Sequence, residues 1–233
     1  MNRRILQLAI PSIVSNITVP LLGLVDVTIV GHLGSAAYIG AIAVGGLLFN
    51  ILYWNFGFLR MGTSGLTSQA YGRKDADAEV KVLVQAVSVG LISAAAILIL
   101  QYPVERLAFY LLDTSPEVEQ YAVTYFRICI WGAPAVLAQY SFTGWFIGMQ
   151  NSRYPMYIAI VMNVINIVCS SCFVFLFKMK VEGVALGTVV AQYSGVMMAL
   201  GFWYYNYKEL RGRITFKGSL QLIAMRRFFA VNR

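Results

Sequence analysis

Six apolar stretches run along this chain, near residues 8–30, 39–60, 82–103, 119–145, 155–177 and 183–205, separated by short polar connectors. Each is close to the ~20 residues that an α-helix needs to cross a bilayer core of ~30 Å. The connectors carry turn signals: His32-Leu-Gly-Ser35, Gly72-Arg-Lys-Asp75, Asp113-Thr-Ser-Pro116 and Asn151-Ser-Arg-Tyr-Pro155. The pattern predicts an all-α polytopic membrane protein, with six transmembrane helices over residues 1–205 and a distinct segment over 206–233. The opening MNRRILQLAIPSIV has the basic start of a signal peptide. Its apolar run is too long, however, holds prolines and an acid, and lacks a small-residue cleavage site, so it reads as the first membrane helix.

Composition agrees. The 233 residues are 59% hydrophobic and 12% charged, against roughly a quarter charged in soluble domains. Basic residues set the orientation: with the N-terminus inside, every Lys and Arg except Arg106, Lys178, Lys180 and Arg127 falls on the cytoplasmic side. Arg127 lies within the fourth span and is expected to snorkel to the outer interface or to pair with Glu117 or Glu119. Residues 206–233 concentrate seven basic residues against one acid. Charge abutting a membrane span fits anionic lipid better than nucleic acid, and LQLIAMRRFF reads as a short interfacial helix.

Asp26 is the conspicuous polar position, since an ionised carboxylate within a span is costly unless it faces a partner or a water-filled cavity. Ser12, Ser15, Asn16, Gly23 and Asp26 share one face of the first helix, and Pro11 and Pro20 permit it to kink. On span five, Asn163, Asn166 and Ser170 recur at i, i+3 and i+7 on one face, and span six adds Thr188 and Gln192. At ~1.5 Å per residue, Asp26 and Ser170 sit at comparable depth in the outer half. An acid ringed by amides and hydroxyls is a plausible H⁺ or Na⁺ site, which points to a proton- or cation-coupled transporter. The competing reading is interhelical hydrogen bonding alone.

Other patterns carry less chemistry. Cys169-Ser-Ser-Cys172 has redox spacing, but on a membrane helix, like Cys129, it reads as packing. Gly62-Thr-Ser64-Gly65 has the form found in intramembrane serine proteases. Ser64 is expected at the inner end of span two and His32 at the outer end of span one, too far apart for a dyad. The glycines and hydroxyls there are read as an inner turn. Gly144 with Gly148, and Gly183, Gly187 and Ala191, form small-residue rows for close helix packing. The residues point to no enzyme and no metal site.

Several segments together resemble the multidrug and toxic compound extrusion (MATE) family, especially its DinF-like branch. They are Val25-Asp26-Val-Thr-Ile-Val-Gly31-His-Leu-Gly34, Ser68-Gln69-Ala-Tyr-Gly72, and Gly144-Trp-Phe-Ile-Gly148-Met-Gln150-Asn-Ser-Arg153. To these add Asn163-Val-Ile-Asn166-Ile and Gly183-Val-Ala-Leu-Gly187-Thr188-Val-Val-Ala-Gln192. The resemblance implies twelve helices in two six-helix lobes, of which this chain supplies the N-terminal lobe and a basic inter-lobe linker, the C-terminal lobe being missing. It implies secondary antiport, in which a small cationic or amphipathic substrate leaves as H⁺ or Na⁺ enters, with no cofactor. It also implies a bacterial cytoplasmic (inner) membrane location. Asp26 matches the family's ion-coupling acid, Asn166 and Thr188 match polar residues around it, and Pro11 matches a first-helix proline tied to bending. Where many members carry a second acid, this chain has Ser170, which favours Asp26 as sole proton carrier. The alternatives are a lipid-linked oligosaccharide flippase of the same superfamily, or a non-transporting half-transporter that needs a second six-helix chain.

Overall fold

The structure, a computed structural model, describes Pro11, Ile13 and residues 23–32, 34–112 and 114–213. Within these, α1 covers 23–31, α2 Ala36–Trp54, α3 Gly57–Gly72, α4 Ala76–Ile99 and α5 Gln101–Leu111. Then come α6 Pro116–Cys129, α7 Ala133–Gly148, α8 Arg153–Ser171, α9 Val181–Asn206 and the single turn α10 Lys208–Arg211. Local chemistry sets the starts. Ser35 Oγ accepts from the Ala37 amide at 3.2 Å, and Asp75 caps α4 through the Ala78 amide at 3.0 Å. Pro116 opens α6, where its missing N–H costs nothing.

Five helical stretches among the described residues are long and apolar enough to cross a membrane: Ala36–Gly72, Ala76–Ile99, Pro116–Gly148, Arg153–Leu176 and Val181–Asn206. Two are longer than the hydropathy pattern suggests. The second span, expected at 39–60, continues through a short break at Asn55–Phe56 to Gly72. Gly62-Thr-Ser64-Gly65 and Ser68-Gln69 therefore lie on a helix, not in an inner turn or loop. The small residues are there because α3 packs face to face on α7. The fourth span joins α6 to α7 through a tight 3₁₀ turn at Ile130–Gly132. Pro20, much of the first span and the basic tail beyond Arg213, including LQLIAMRRFF, lie outside the described residues.

The bundle is built from helix pairs: α8 on α9, α3 and α4 on α7, α2 on α6 and α6 on α9. Helices meet this closely where a side chain is absent. A Cβ at Gly148 would lie 2.8 Å from the Ser64 carbonyl oxygen and 2.9 Å from Thr67 Cγ2, and one at Gly144 would strike the Arg60 carbonyl. On the other pair, a Cβ at Gly187 would fall 2.7 Å from the Ser170 amide nitrogen. Lipid tails are as apolar as the helices, so van der Waals contact of this kind drives association in a bilayer. At the end where α9 finishes, Trp145, Phe146, Ile158, Ala199 and Leu210 form one buried cluster. There Trp145 Nε1 donates to the Glu79 carbonyl at 2.8 Å, and the Tyr207 ring stands edge-on to Trp145 at 4.8 Å.

The third span also departs from its expected 82–103. It stops at Ile99, and the chain turns at Leu100 into the amphipathic α5. One face of α5 buries Glu105 and Phe109, and the other exposes Leu107, Tyr110 and Leu111. Glu105 is the partner of Arg127, in place of the expected Glu117 or Glu119. Arg127 Nε and Nη2 donate to the two carboxylate oxygens at 2.8 Å each, while Glu117 and Glu119 stay exposed. Glu105 could not be foreseen as partner because the sequence pattern left α5 unrecognised.

Two outcomes follow from this packing. Gly148→Leu drives a side chain into the backbone of α3 and should lower stability in detergent by about 1–3 kcal/mol. Gly46→Ala, with nothing within 4 Å, should cause no loss by the same thermal unfolding measurement. Arg127→Gln leaves the Glu105 carboxylate, 10% exposed, without its bidentate partner. Its thermal midpoint should fall further than that of the double variant Arg127→Gln/Glu105→Gln.

Candidate functional site

Asp26 lies five residues before the end of α1 and is 5% exposed. Around it α1, α2, α6 and α9 contribute one apolar cluster: Ile29 and Val30, Tyr38 and Ile42, Tyr125 and Cys129, and Val181, Val184 and Ala185. The carboxylate is within electrostatic reach of the Tyr125 hydroxyl and the Cys129 thiol. These two sit one turn apart on α6. Gly45 makes room on α2 for the Tyr125 ring, since a Cβ there would lie 2.9 Å from Cε1.

A second polar group stands beside the first. Asn166 Nδ2 donates to Thr188 Oγ1 at 3.0 Å, and Thr188 Oγ1 donates to the Val184 carbonyl at 3.0 Å. Tyr125 is also within electrostatic reach of Thr188. Tyr125 is thus a neighbour common to the acid on α1 and the amide–hydroxyl pair on α8 and α9. Ser170 is fully buried against Gly187, and a π turn at Cys172–Leu176 follows it, an irregularity frequent at functional positions.

Of the residues singled out from sequence, Asn166 and Thr188 are in direct contact, and Asp26 has Tyr125 as a neighbour in common with Thr188. Ser170 lies one turn from Asn166 on the same buried face, whereas Asn163 is half-buried on α8. Pro11 is buried within helical backbone. Tyr125 and Cys129 are the residues that sequence reasoning missed. Their four-residue spacing on the fourth span was the available signal, masked because Tyr and Cys also serve as packing residues.

The site's chemistry is defined by acceptors. Asp26 Oδ1, Asn166 Oδ1, Ser170 Oγ and Gln192 Oε1 are buried and have no hydrogen-bond partner among the described residues. Buried polar atoms are rarely left so, and oxygens of this kind suit a proton or a hard cation. One carboxylate, amides and hydroxyls give a set with a single titratable acid. Ser64, on α3, and His32, just before α2 with its Nδ1 2.8 Å from the Thr28 carbonyl, form no dyad.

The MatE family model matches residues 11–171. The chain is 41% identical to the DNA damage-inducible protein F of Escherichia coli over 85% of its own length and 43% of that protein's. It is 28% identical to the chloroplastic protein DETOXIFICATION 44 of Arabidopsis thaliana, over 87% of the chain and 40% of the relative. A solved transporter of the MOP superfamily from Pyrococcus furiosus superposes with a TM-score of 0.84 at 19% identity, covering 97% of this chain and 49% of that one. A MATE solved in a bent conformation gives 0.80 at 20% identity, with 89% and 46% covered. The chain therefore spans about half the length of the relatives it matches, as one helical lobe. On this evidence it belongs to the MATE family of membrane transporters and is not an enzyme.

Proposed function

We propose that this chain is the first lobe of a secondary antiporter that moves a small cationic or amphipathic compound out of the cell as H⁺, or Na⁺, moves in. The observation that carries this reading is the buried Asp26 carboxylate, with one oxygen unpartnered, set beside Tyr125, Thr188 and Asn166. An acid in this setting alternates between a neutral form compatible with apolar packing and an ionised form that needs a cation or water. A change of charge in hydrocarbon costs enough to shift helix packing. Ion flow supplies the work, ~2.3 kcal/mol per charge per 100 mV and ~1.4 kcal/mol per pH unit.

Several components of this reading rest on the family. Solved relatives are about twice as long, so the transport unit includes a second lobe that closes a central cavity against this one. Residues 206–233 serve as the cytoplasmic linker, and the N-terminus is cytoplasmic. Ser170 in place of a second carboxylate favours a proton carried by Asp26 alone. The flippase alternative needs cations lining the cavity. Its sequence candidate, Arg127, is tied to Glu105 on the far side of α6 from Asp26's neighbours.

Asp26→Asn in the two-lobe protein should leave membrane insertion intact and reduce pH-gradient-driven efflux in vesicles to the passive leak. Undiminished gradient-driven efflux would sink the assignment. Thr188→Val removes the acceptor for Asn166 but leaves the acid in place. It should retain partial efflux with a shifted pH profile.

A further inference from the structure

Where both long rods are interrupted, the bundle leaves a cavity of about 700 Å³ that the Asp26 site does not use. Its walls are rings: Phe49, Tyr53 and Trp54 from the last turns of α2, and Tyr140 from α7. Asn50 on α2 and Gln192 on α9 add two amides. Pockets for small organic molecules have this size and this make-up, mostly apolar with a few placed polar groups.

The polar part of the wall is unusual. Gln192 Oε1 occupies the space where a Cβ on Gly132 would be, at the 3₁₀ turn between α6 and α7. It is buried without a hydrogen-bond partner among the described residues, which leaves the amide nitrogen as the end toward the cavity. The Tyr53 hydroxyl, of the same wall, is also buried without such a partner, and buried polar atoms are rarely left so. Charge is missing: no Asp, Glu, Lys, Arg or His is among the described residues that line the cavity. A charge that acts on the wall is Arg60, exposed on α3 and within electrostatic reach of Tyr140. Its sign does not favour a cationic ligand.

We propose that this cavity is a binding site for planar aromatic compounds, neutral ones included, held by ring contacts and the Gln192 amide without an ion pair to Asp26. The proposal rests on the reading of the chain as an exporter lobe, and it defines that exporter's substrate by shape and hydrogen bonding instead of by charge. Stacked and edge-on contacts with four rings favour a flat ring system. Ring faces also attract a delocalised cation, so positive charge is accepted but not required. An ion pair would need a carboxylate in the wall, and its described residues supply none. Phe49 is the ring that meets both regions. It lines the cavity, stacks on Tyr53 at 5.6 Å and on Phe126 at 5.3 Å, and stands edge-on to Tyr125, the neighbour of Asp26, at 6.4 Å.

The test is equilibrium binding without a gradient, on the full chain in lipid nanodiscs at neutral pH. The probes are acridone and 9-aminoacridine, tricyclic rings of similar size, the first neutral and the second a cation under these conditions. Uptake by nanodiscs without protein is subtracted. Both should bind saturably, with dissociation constants within about fivefold of each other. Trp54→Ala and Tyr140→Ala should each weaken both probes about tenfold. Trp54 is 83% exposed, so its removal leaves the core intact. Gln192→Leu, of similar volume, should weaken acridone, whose carbonyl accepts from the amide, about fivefold more than 9-aminoacridine. Saturable binding of neither probe would overturn the proposal, as would full affinity in both ring variants or an unchanged acridone affinity in Gln192→Leu. So would a preference for the cation above about tenfold that Asp26→Asn abolishes, because the acid would then be the ligand's partner. No ion flow is measured, so this result and the Asp26→Asn efflux result fail separately.

Discussion

The rest of the structure depends on how a single carboxylate is accommodated in hydrocarbon. An acid on an isolated membrane helix would be driven toward the interface or neutralised. Here Asp26 lies between Val25 and Val27, which pack on an apolar cluster drawn from α1, α2, α6 and α9, with the Tyr125 hydroxyl and the Cys129 thiol within its electrostatic reach. Those groups are placed by packing. Gly45 lets the Tyr125 ring lie against α2, and Gly187 lets α9 approach Ser170. The polar site is thus held by missing side chains as much as by those present, which places its geometry under the control of close backbone contacts distant from the acid itself.

The same economy appears at the periphery. Arg127 is 57% exposed, yet its guanidinium is fixed by two hydrogen bonds to a buried partner. An exposed ion pair is worth little, but this one connects α5 to α6 and so fixes how the chain leaves the third span. At the opposite end, the Trp145–Tyr207 contact and buried Leu210 hold the start of the segment after α9 beneath the bundle. Neither device touches the Asp26 neighbourhood. Among the described residues, Asp26, Asn166 and Ser170 in that region keep oxygens without a hydrogen-bond partner.

Much of this was readable from residues, for identifiable reasons. Asp26, Asn166 and Thr188 stand out because a polar side chain in an apolar helix contrasts strongly with its neighbours, and helical spacing aligns them. Tyr125 and Cys129 did not stand out, because each has an apolar body and a polar tip, and only burial next to an acid reveals which part matters. The break at Leu100 was hidden because apolar residues continue past it, at Val104 and again over Leu107–Leu112. The length of α3 was hidden for the opposite reason: Gly, Ser and Thr read as turn formers in water but serve as contact residues between membrane helices. For Arg127 the sequence offered snorkelling or pairing with Glu117 or Glu119, and Glu105 was not among the candidates because it lay in a segment with no recognised helix.

The two longest helical rods have an architectural consequence. Ala36–Gly72 and Pro116–Gly148, 37 and 33 residues, would measure ~50–55 Å as straight helices, far beyond the ~30 Å hydrocarbon slab. They run in the same direction, α2 beside α6 and then α3 beside α7, and both are interrupted part-way. The interruptions, at Asn55–Phe56 and Ile130–Gly132, are flanked by Tyr53, Leu59, Ile130 and Ala133 of one apolar cluster. The lobe is therefore two-storeyed, with the acid on one storey and the glycine-notched α3–α7 contact on the other. A tilt of either storey would be absorbed at the shared floor, where both backbones already depart from the regular ladder.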